Sequence, residues 1–389
     1  MKYFFVLGSH PDISTAEIKA IFPKLPVFKP VDNLLILDSP ESINPREIIK
    51  RLGGTIKFGL ITAEINTPRL NSVLDAIAKE IRPKAEMAEG KFPYGFSEYG
   101  LKRWNIKVLG METKKELKEV GTSARWVISR EATLSSVVVE QNHLLDKGAE
   151  ILLINEKNKT LIGRTLAVQL FKELSFRDYG RPGRDDLSGM LPPKLAQIMI
   201  NLAGQDLSAS LLDPFCGSGT ILAEARLMGY QKISGSDLSD KAISDTKTNL
   251  HWLGEKLNLK TDNIELKKIS ATEISSWLKP KSVDAVITEP YLGPSRNQDN
   301  LPKIITELNH LYAQTLKELK KIIKPNGTVV MLWPVFMKSR PIAKLNPSFS
   351  DWRIVPAEKE NNITKRPTLI YGRVGQKVWR EIVILRLIK

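Results

Sequence analysis

From Leu195 to the end of the chain, short apolar runs alternate with longer amphipathic ones, and this rhythm constrains the fold more tightly than any other feature of the sequence. Its spacing predicts helices over Leu195–Leu202, Thr220–Met228, Lys241–Leu253 and Lys303–Ile323. Strands are predicted at Leu211-Leu212, Ile233–Asp237, Ile264–Ile269, Val283–Thr288, Thr328–Trp333 and the alternating run Val378–Leu387. Strands separated by helices pair in parallel through crossovers, so a mostly parallel sheet with helices on both faces follows. A chain of 389 residues also exceeds what one core supports. The stretch 169–190, rich in charge, glycine and proline around Arg177–Arg184, reads as the linker ahead of an α/β region over 191–389.

Residues 1–60 read as a small α+β unit. It has strand Tyr3–Leu7, a helix opened by Ser14 and Glu17 in a capping-box pattern, and strand Leu34–Leu37. Helix Pro45–Leu52, stopped by Gly53-Gly54, and strand Thr55–Ile65 complete it. Residues 61–168 repeat the mixture more loosely. Leu70–Ile81 has helical spacing, Asn105–Leu109 reads as a strand, Lys114–Val120 as a helix and Arg125–Ser129 as a strand. Leu134–Leu145 reads as a helix, and Ile151–Ile154 with Leu161–Val168 as a strand pair.

Composition narrows the function classes. A lone Cys216 excludes an internal disulfide framework and a cysteine-based zinc cluster. His10, His143, His251 and His310 lack ligand spacing, so no metal is expected. No run approaches the roughly 18–20 apolar residues of a membrane span, and Tyr3–Leu7 is too short for a signal-peptide core. A reducing, cytoplasmic setting is therefore the expectation. The net charge is +15. It is uneven: residues 201–300 sum to −2, 101–200 to +5 and 301–389 to +11. A near-neutral module between cationic flanks suits a small-molecule pocket beside an anionic macromolecule.

The sharpest local signal is Leu211-Leu212-Asp213-Pro214-Phe215-Cys216-Gly217-Ser218-Gly219-Thr220, a strand, a glycine turn and a helix start. Such a turn lets backbone approach a ligand. Leu222 stands where a dinucleotide fingerprint needs a third glycine, and no Gly-Lys-Ser/Thr is present for a P-loop. Asp237, twenty residues after Gly217, closes the next strand, where a carboxylate can accept both hydroxyls of a ribose. Together these features describe a pocket for an adenosine-bearing ligand.

Asp213–Ile221 resembles the first motif of S-adenosylmethionine (SAM)-dependent RNA methyltransferases of the amino-methylating group. The resemblance implies that Gly217 and Gly219 line the methionine part of SAM, with Phe215 and Thr220 in the same loop. It further implies that Asp213 holds the amino group and Asp237 the ribose, and it places Ser270-Ala271 where relatives contact adenine. Thr288-Glu289-Pro290-Tyr291 is similar to the Asp/Asn/Ser-Pro-Pro-Tyr of that group, with Thr288 at the acidic position and Glu289 replacing the first proline. An exocyclic amino group is a poor nucleophile until acceptors aimed at its hydrogens free its lone pair, and an aromatic ring fixes the extruded base. Two acceptors are open: the Thr288 hydroxyl with a backbone carbonyl, or the Glu289 carboxylate. Tyr291 is expected as the stacking platform.

Three further stretches resemble the THUMP-containing tRNA guanosine N2-methyltransferases. They are Gly53–Lys57, Arg177–Pro182 with Gly189–Ala196, and Tyr371–Arg373 with Gln376–Ile382. This family implies a ferredoxin-like unit over 1–60, a THUMP domain over 61–168 that grips the tRNA 3′ end, and a seven-stranded Rossmann-like methyltransferase domain over 191–389. It also implies guanosine 10 of tRNA as target and one or two methyls; a monomer is expected. The linker residues Arg177, Arg181 and Arg184 are candidates for a phosphate or the cofactor carboxylate. Two other readings stand beside this one: an amino-methyltransferase acting on ribosomal RNA or DNA, and a non-catalytic RNA-binding protein that retains SAM.

Overall fold

The computed structural model describes residues 1–184, 190–294, 299–337 and 342–388. The expected linker residues 185–189, with Gly189 of the resemblance, lie outside them. In chain order the elements begin with β1 (Lys2–Leu7), α1 (Pro11–Ile21), β2 (Val27–Val31), β3 (Leu34–Asp38), α2 (Pro45–Arg51), β4 (Thr55–Asn66) and α3 (Leu70–Glu86). Then come β5 (Phe92–Gly100), α4 (Ile106–Glu119), β6 (Ala124–Val127), α5 (Ser136–Gln141), β7 (Ala149–Asn155), β8 (Lys159–Val168) and α6 (Phe171–Tyr179). The chain forms two compact units: Met1–Thr15 with Phe22–Lys50 and Gly54–Leu170, and Ala16–Ile21 with Arg51–Gly53 and Phe171–Lys389.

The first unit carries an eight-stranded sheet in the order β2-β3-β1-β4-β8-β7-β5-β6. The expected boundary at residue 60 falls inside β4, which pairs with β1 on one side and β8 on the other. Strands from 1–60 and from 61–168 therefore share one sheet. Several readings of this region are corrected. Ser14 does not open the first helix: α1 begins at Pro11, and the Ser14 hydroxyl donates to the carbonyls of His10 and Gly54 at 3.1 and 2.8 Å. Asn105–Leu109 is not a strand but the opening of α4: the Asn105 side chain accepts the backbone N–H groups of Lys107 and Val108, and Leu109, Thr113 and Leu117 are buried one turn apart. Leu134–Leu145 keeps only one short helix, α5, capped by Ser135, and His143 leaves it with φ of 57°. The sequence reading passed over β5, where Pro93 and Gly95 mask a strand whose residues are buried up to Gly100.

The second unit continues with α7 (Pro193–Leu202), β9 (Ser210–Asp213), α8 (Thr220–Leu227), β10 (Lys232–Asp237), α9 (Asp240–Leu257) and β11 (Glu265–Lys268). A 3-10 turn (Ala271–Ser276), β12 (Val283–Thr288), α10 (Leu301–Ile322), β13 (Ile323–Phe336), β14 (Ala343–Lys344), β15 (Trp352–Ile354), β16 (Leu369–Tyr371) and β17 (Val378–Leu387) follow. Its sheet has nine strands among the described residues, not the expected seven: it runs β11-β10-β9-β12-β13-β17-β15, with the short strands β14 added beside β13 and β16 beside β17. From β11 to β13 the pairings are parallel, and β17 runs antiparallel between β13 and β15. The core strands are apolar throughout: Leu211, Leu212, Ala285–Ile287 and Val329–Trp333 are buried, with Leu308, Tyr312, Leu316 and Leu319 of α10 packed on them at helical spacing. This is a Rossmann-like architecture with its strand order reversing between β9 and β12, where open α/β sheets place ligands beyond the strand ends. The expected linker is not all loop. It contains α6, whose Arg177 donates from Nε and Nη2 to both carboxylate oxygens of the buried Glu224 on α8, at 2.6 and 3.1 Å. That pairing takes Arg177 off the ligand candidates.

Candidate cofactor and acceptor site

A cavity of about 540 Å³ opens at the strand-order reversal. It brings together Asp213 from the end of β9, Gly217 from the glycine turn, Asp237 from the end of β10, Ser270 after β11, and Glu289 and Tyr291 after β12. Phe215, Thr220, Ala271 and Pro290 also line it. Gly219 and Thr288 stand behind the lining.

The turn is held from below by α9. Thr246 donates to the carbonyl of Gly217 at 2.7 Å, and Asn249 to the carbonyl of Ser218 at 2.8 Å. Gly217 has φ of 53° and Gly219 φ of 84°, the left-handed region that glycine adopts freely. A Cβ on Gly219 would lie 2.9 Å from Thr246 Cγ2, whereas one on Gly217 would meet nothing within 4 Å. Gly219 thus serves the turn, and Gly217 leaves room for a ligand. Asp237 completes the clasp: one carboxylate oxygen accepts the N–H of Gly217 at 3.1 Å, the other that of Ser239 at 2.9 Å. Each oxygen keeps a further lone pair for a ligand hydroxyl.

Asp213 is buried, and its Oδ1 accepts the N–H of Phe215 at 3.1 Å and the Thr288 hydroxyl at 2.7 Å. Burial pushes its carboxyl up to about 7; the Thr288 and Phe215 hydrogen bonds pull the other way, and the charges of Asp237 and Glu289 push it further up. Burial also pushes the Cys216 thiol up, which disfavours its thiolate. Thr288 is fully buried with its hydroxyl spent on Asp213, which counts against the first of the two open acceptors. Glu289 does face the cavity, where Arg380 of β17 donates from Nε to its Oε1 at 2.5 Å. Tyr291 is 56% exposed at the rim, its backbone carbonyl held by the Tyr312 hydroxyl at 3.1 Å.

Arg181 is buried on the Thr220 hydroxyl, and Arg184 donates to the carbonyl of Tyr179 at 3.2 Å, so neither reaches the cavity. The sequence reading missed Leu238, Lys241 and Asp245, which line the β10–α9 side, and Met190 and Leu191. It also missed Arg380, although an arginine on the same parity as the buried Ile382 was a signal.

Residues 181–346 match the family described as RMKL-like, methyltransferase domain. The chain is 32% identical over 183 residues to the tRNA (guanine(10)-N2)-dimethyltransferase of Methanocaldococcus jannaschii, covering 45% of this chain and 48% of that protein. The chain thus spans about half the length of that relative. It is 26% identical to the Pyrococcus abyssi protein of the same name, over 86% of this chain and 88% of the other. To a Methanothermococcus thermolithotrophicus protein named probable tRNA (guanine(10)-N2)-dimethyltransferase it is 38% identical, over 30% of this chain and 70% of that one. The crystal structure of TrmN from Thermus thermophilus shares the fold, with a TM-score of 0.56, 18% identity and both chains covered in full.

Proposed function

The chain belongs to the family of the tRNA (guanine(10)-N2)-dimethyltransferases, and from this premise we propose that it transfers methyl groups from SAM to the N2 amino group of a guanosine in tRNA. Position 10 is the favoured nucleotide, with one or two methyls added. Residues 61–168 are read as a THUMP domain that takes the tRNA 3′ end, and 1–60 as a ferredoxin-like unit. The protein acts as a cytoplasmic monomer in this reading. Among the described residues no helix is long and apolar enough to cross a membrane.

The observation that carries the proposal is the juxtaposition of the glycine turn with the Glu289–Tyr291 tip around one cavity. Its volume of about 540 Å³ lies within the ~300–1,000 Å³ of small-molecule sites. The donor set fits SAM: Asp237 offers lone pairs to a ribose, Asp213 a carboxylate to an ammonium, and Gly217 an unobstructed approach. When bound, SAM supplies an electrophilic methyl on a sulfonium.

The chain's own residues then do three things. Tyr291 stacks on the extruded base and fixes its amino nitrogen in line. Glu289, turned into the cavity and held by Arg380, accepts an amino hydrogen and draws the lone pair out of the ring. The apolar side chains of Phe215, Pro290 and Leu292 keep water from the reacting atoms. With the carbon–sulfur bond broken as the nitrogen gains the methyl, the nitrogen would be acidic, and its proton would leave to water without a strong base.

Incubation with unmodified tRNA and tritiated SAM tests this reading. Label should enter tRNA and be recovered as N2-methylguanosine. Transfer to DNA instead overturns the substrate assignment, and SAM binding with no turnover on any RNA turns the chain into a binder.

A further inference from the structure

We propose that the β-turn joining β16 to β17 is a wedge: Val374 enters the base stack of a tRNA stem and fills the place of the target base while that base occupies the cavity. This rests on the function proposed above and names how the site reaches a paired nucleotide.

A base inside a stem presents neither its amino group nor its face to a pocket, so it must leave the stack. Proteins that open stacked steps insert an apolar side chain between them. Val374 is 99% exposed, more than any other large apolar side chain among the described residues. Single exposed apolar residues are ordinary on protein surfaces. Three features set this one apart.

The first is rigidity. The Gln376 N–H donates to the Arg373 carbonyl at 3.1 Å, and the Gln376 side chain accepts the Arg373 N–H at 2.9 Å. Trp379 Nε1 donates to the same carbonyl at 3.1 Å. Gly375, with φ of 92°, supplies the positive φ that the third position of a type II turn requires. The Trp379 ring closes on Gly372, where a Cβ would sit 2.3 Å from it. Val374 thus occupies the second position of a stitched turn, and its β-branched side chain has little rotamer freedom to lose on insertion.

The second is place. Thr288, the last residue of β12, is level with Met331, while Val378 pairs with Phe336 five residues further along β13. At about 3.3 Å per residue the turn therefore projects past the strand ends on the side where the cavity opens. The same strand is tied to the cavity by Arg380 on Glu289, and Gly293 of the acceptor loop packs near Phe336.

The third is charge. Arg373 and Lys377 flank the turn in sequence, and the Arg373 guanidinium lies close enough to the Lys194 ammonium for the two cations to repel each other. Cations on and beside the turn suit the phosphates of an RNA backbone.

The test compares wild type, Val374→Ala and Val374→Leu on two transcripts after the target is mapped by mass spectrometry. One is the tRNA; the other has the target's pairing partner replaced so that the pair is broken. Val374→Ala should cut single-turnover rate at least tenfold on the tRNA and less than twofold on the broken pair. Val374→Leu should restore the rate on the tRNA, and calorimetry should show unchanged SAM affinity for both variants. Equal losses on the two transcripts, no loss on either, or a target mapped to an unpaired nucleotide would each overturn the wedge alone. A wild-type protein inert on both transcripts overturns the proposed function, and the wedge with it.

Discussion

The rim formed after β9 and β10 is held by side chains that grip its own backbone, whereas the carboxylate on the rim formed after β12 is held by an ion pair from a distant strand. On the first side, Asp237, Thr246 and Asn249 all grip the main chain of the glycine turn within a stretch of 37 residues, 213–249. On the second, Glu289 meets Arg380 across 91 residues of sequence. The contrast separates what each side must do. A cofactor pocket needs a preset shape, which local turns and caps impose. An acceptor pocket needs a carboxylate aimed at one atom, and only tertiary packing can aim it.

The largest effect should come from breaking the first rim. Asp237→Ala removes the ribose acceptor and also releases the Gly217 and Ser239 N–H groups. Two hydrogen bonds to a charged group are together worth roughly 3–6 kcal/mol, so SAM affinity should fall at least about a hundredfold. Calorimetry measures it, and circular dichroism should show the fold intact. Unchanged affinity would remove Asp237 from the ligand and leave it only a clasp on the turn.

The same contrast explains what could be read before the fold was known. Gly217, Gly219 and Asp237 were legible because a positive φ and a strand-end carboxylate are local demands that leave fixed spacings. The parallel sheet was legible because apolar strands and amphipathic helices differ in period. The choice between Thr288 and Glu289 as acceptor was not legible, since whether a strand-end hydroxyl turns to a cavity or to a neighbouring strand depends on register. Here β9 lies alongside β12, and Asp213 captures the hydroxyl. In the first unit, Asn105 was read as strand because Ile106 and Val108 alternate; the cap it makes competes with that pattern and wins. The pairing of Glu289 with Arg380 left only one trace, a charged residue on an apolar parity.

Breaking the second rim should cost turnover and spare binding. Glu289→Gln keeps the shape but weakens the acceptor and loosens its tie to Arg380. Single-turnover transfer should drop by more than tenfold, equivalent to about 1.4 kcal/mol in the barrier, while SAM affinity stays within twofold. A near wild-type rate would move the acceptor role to backbone carbonyls at the tip. Loss of affinity in step with rate would erase the distinction between the rims.

Asp213 belongs to both rims, and pH should reveal it. Its carboxyl, raised by burial to about 7 from an ordinary 3.8, is largely neutral in the ligand-free protein below that pH. An ammonium placed beside it requires the ionised form. SAM affinity should therefore be flat above about pH 7 and weaken with falling pH, by close to tenfold at pH 6 relative to the plateau. Stability of the ligand-free protein runs the opposite way. The folded state holds this proton more tightly than the unfolded one, so the contribution is fully present below about pH 4 and is lost as pH rises through about 7. Removing the Thr288 hydroxyl takes away a bond that favours the ionised carboxylate, so Thr288→Val should move the affinity midpoint upward, and Asp213→Asn should flatten the profile. An affinity independent of pH between 6 and 8 in the wild type would mean that the ammonium is held elsewhere. A shifted midpoint in Thr288→Val would show that the buried threonine of the acceptor strand tunes the cofactor side, so that the two rims communicate through this one hydrogen bond.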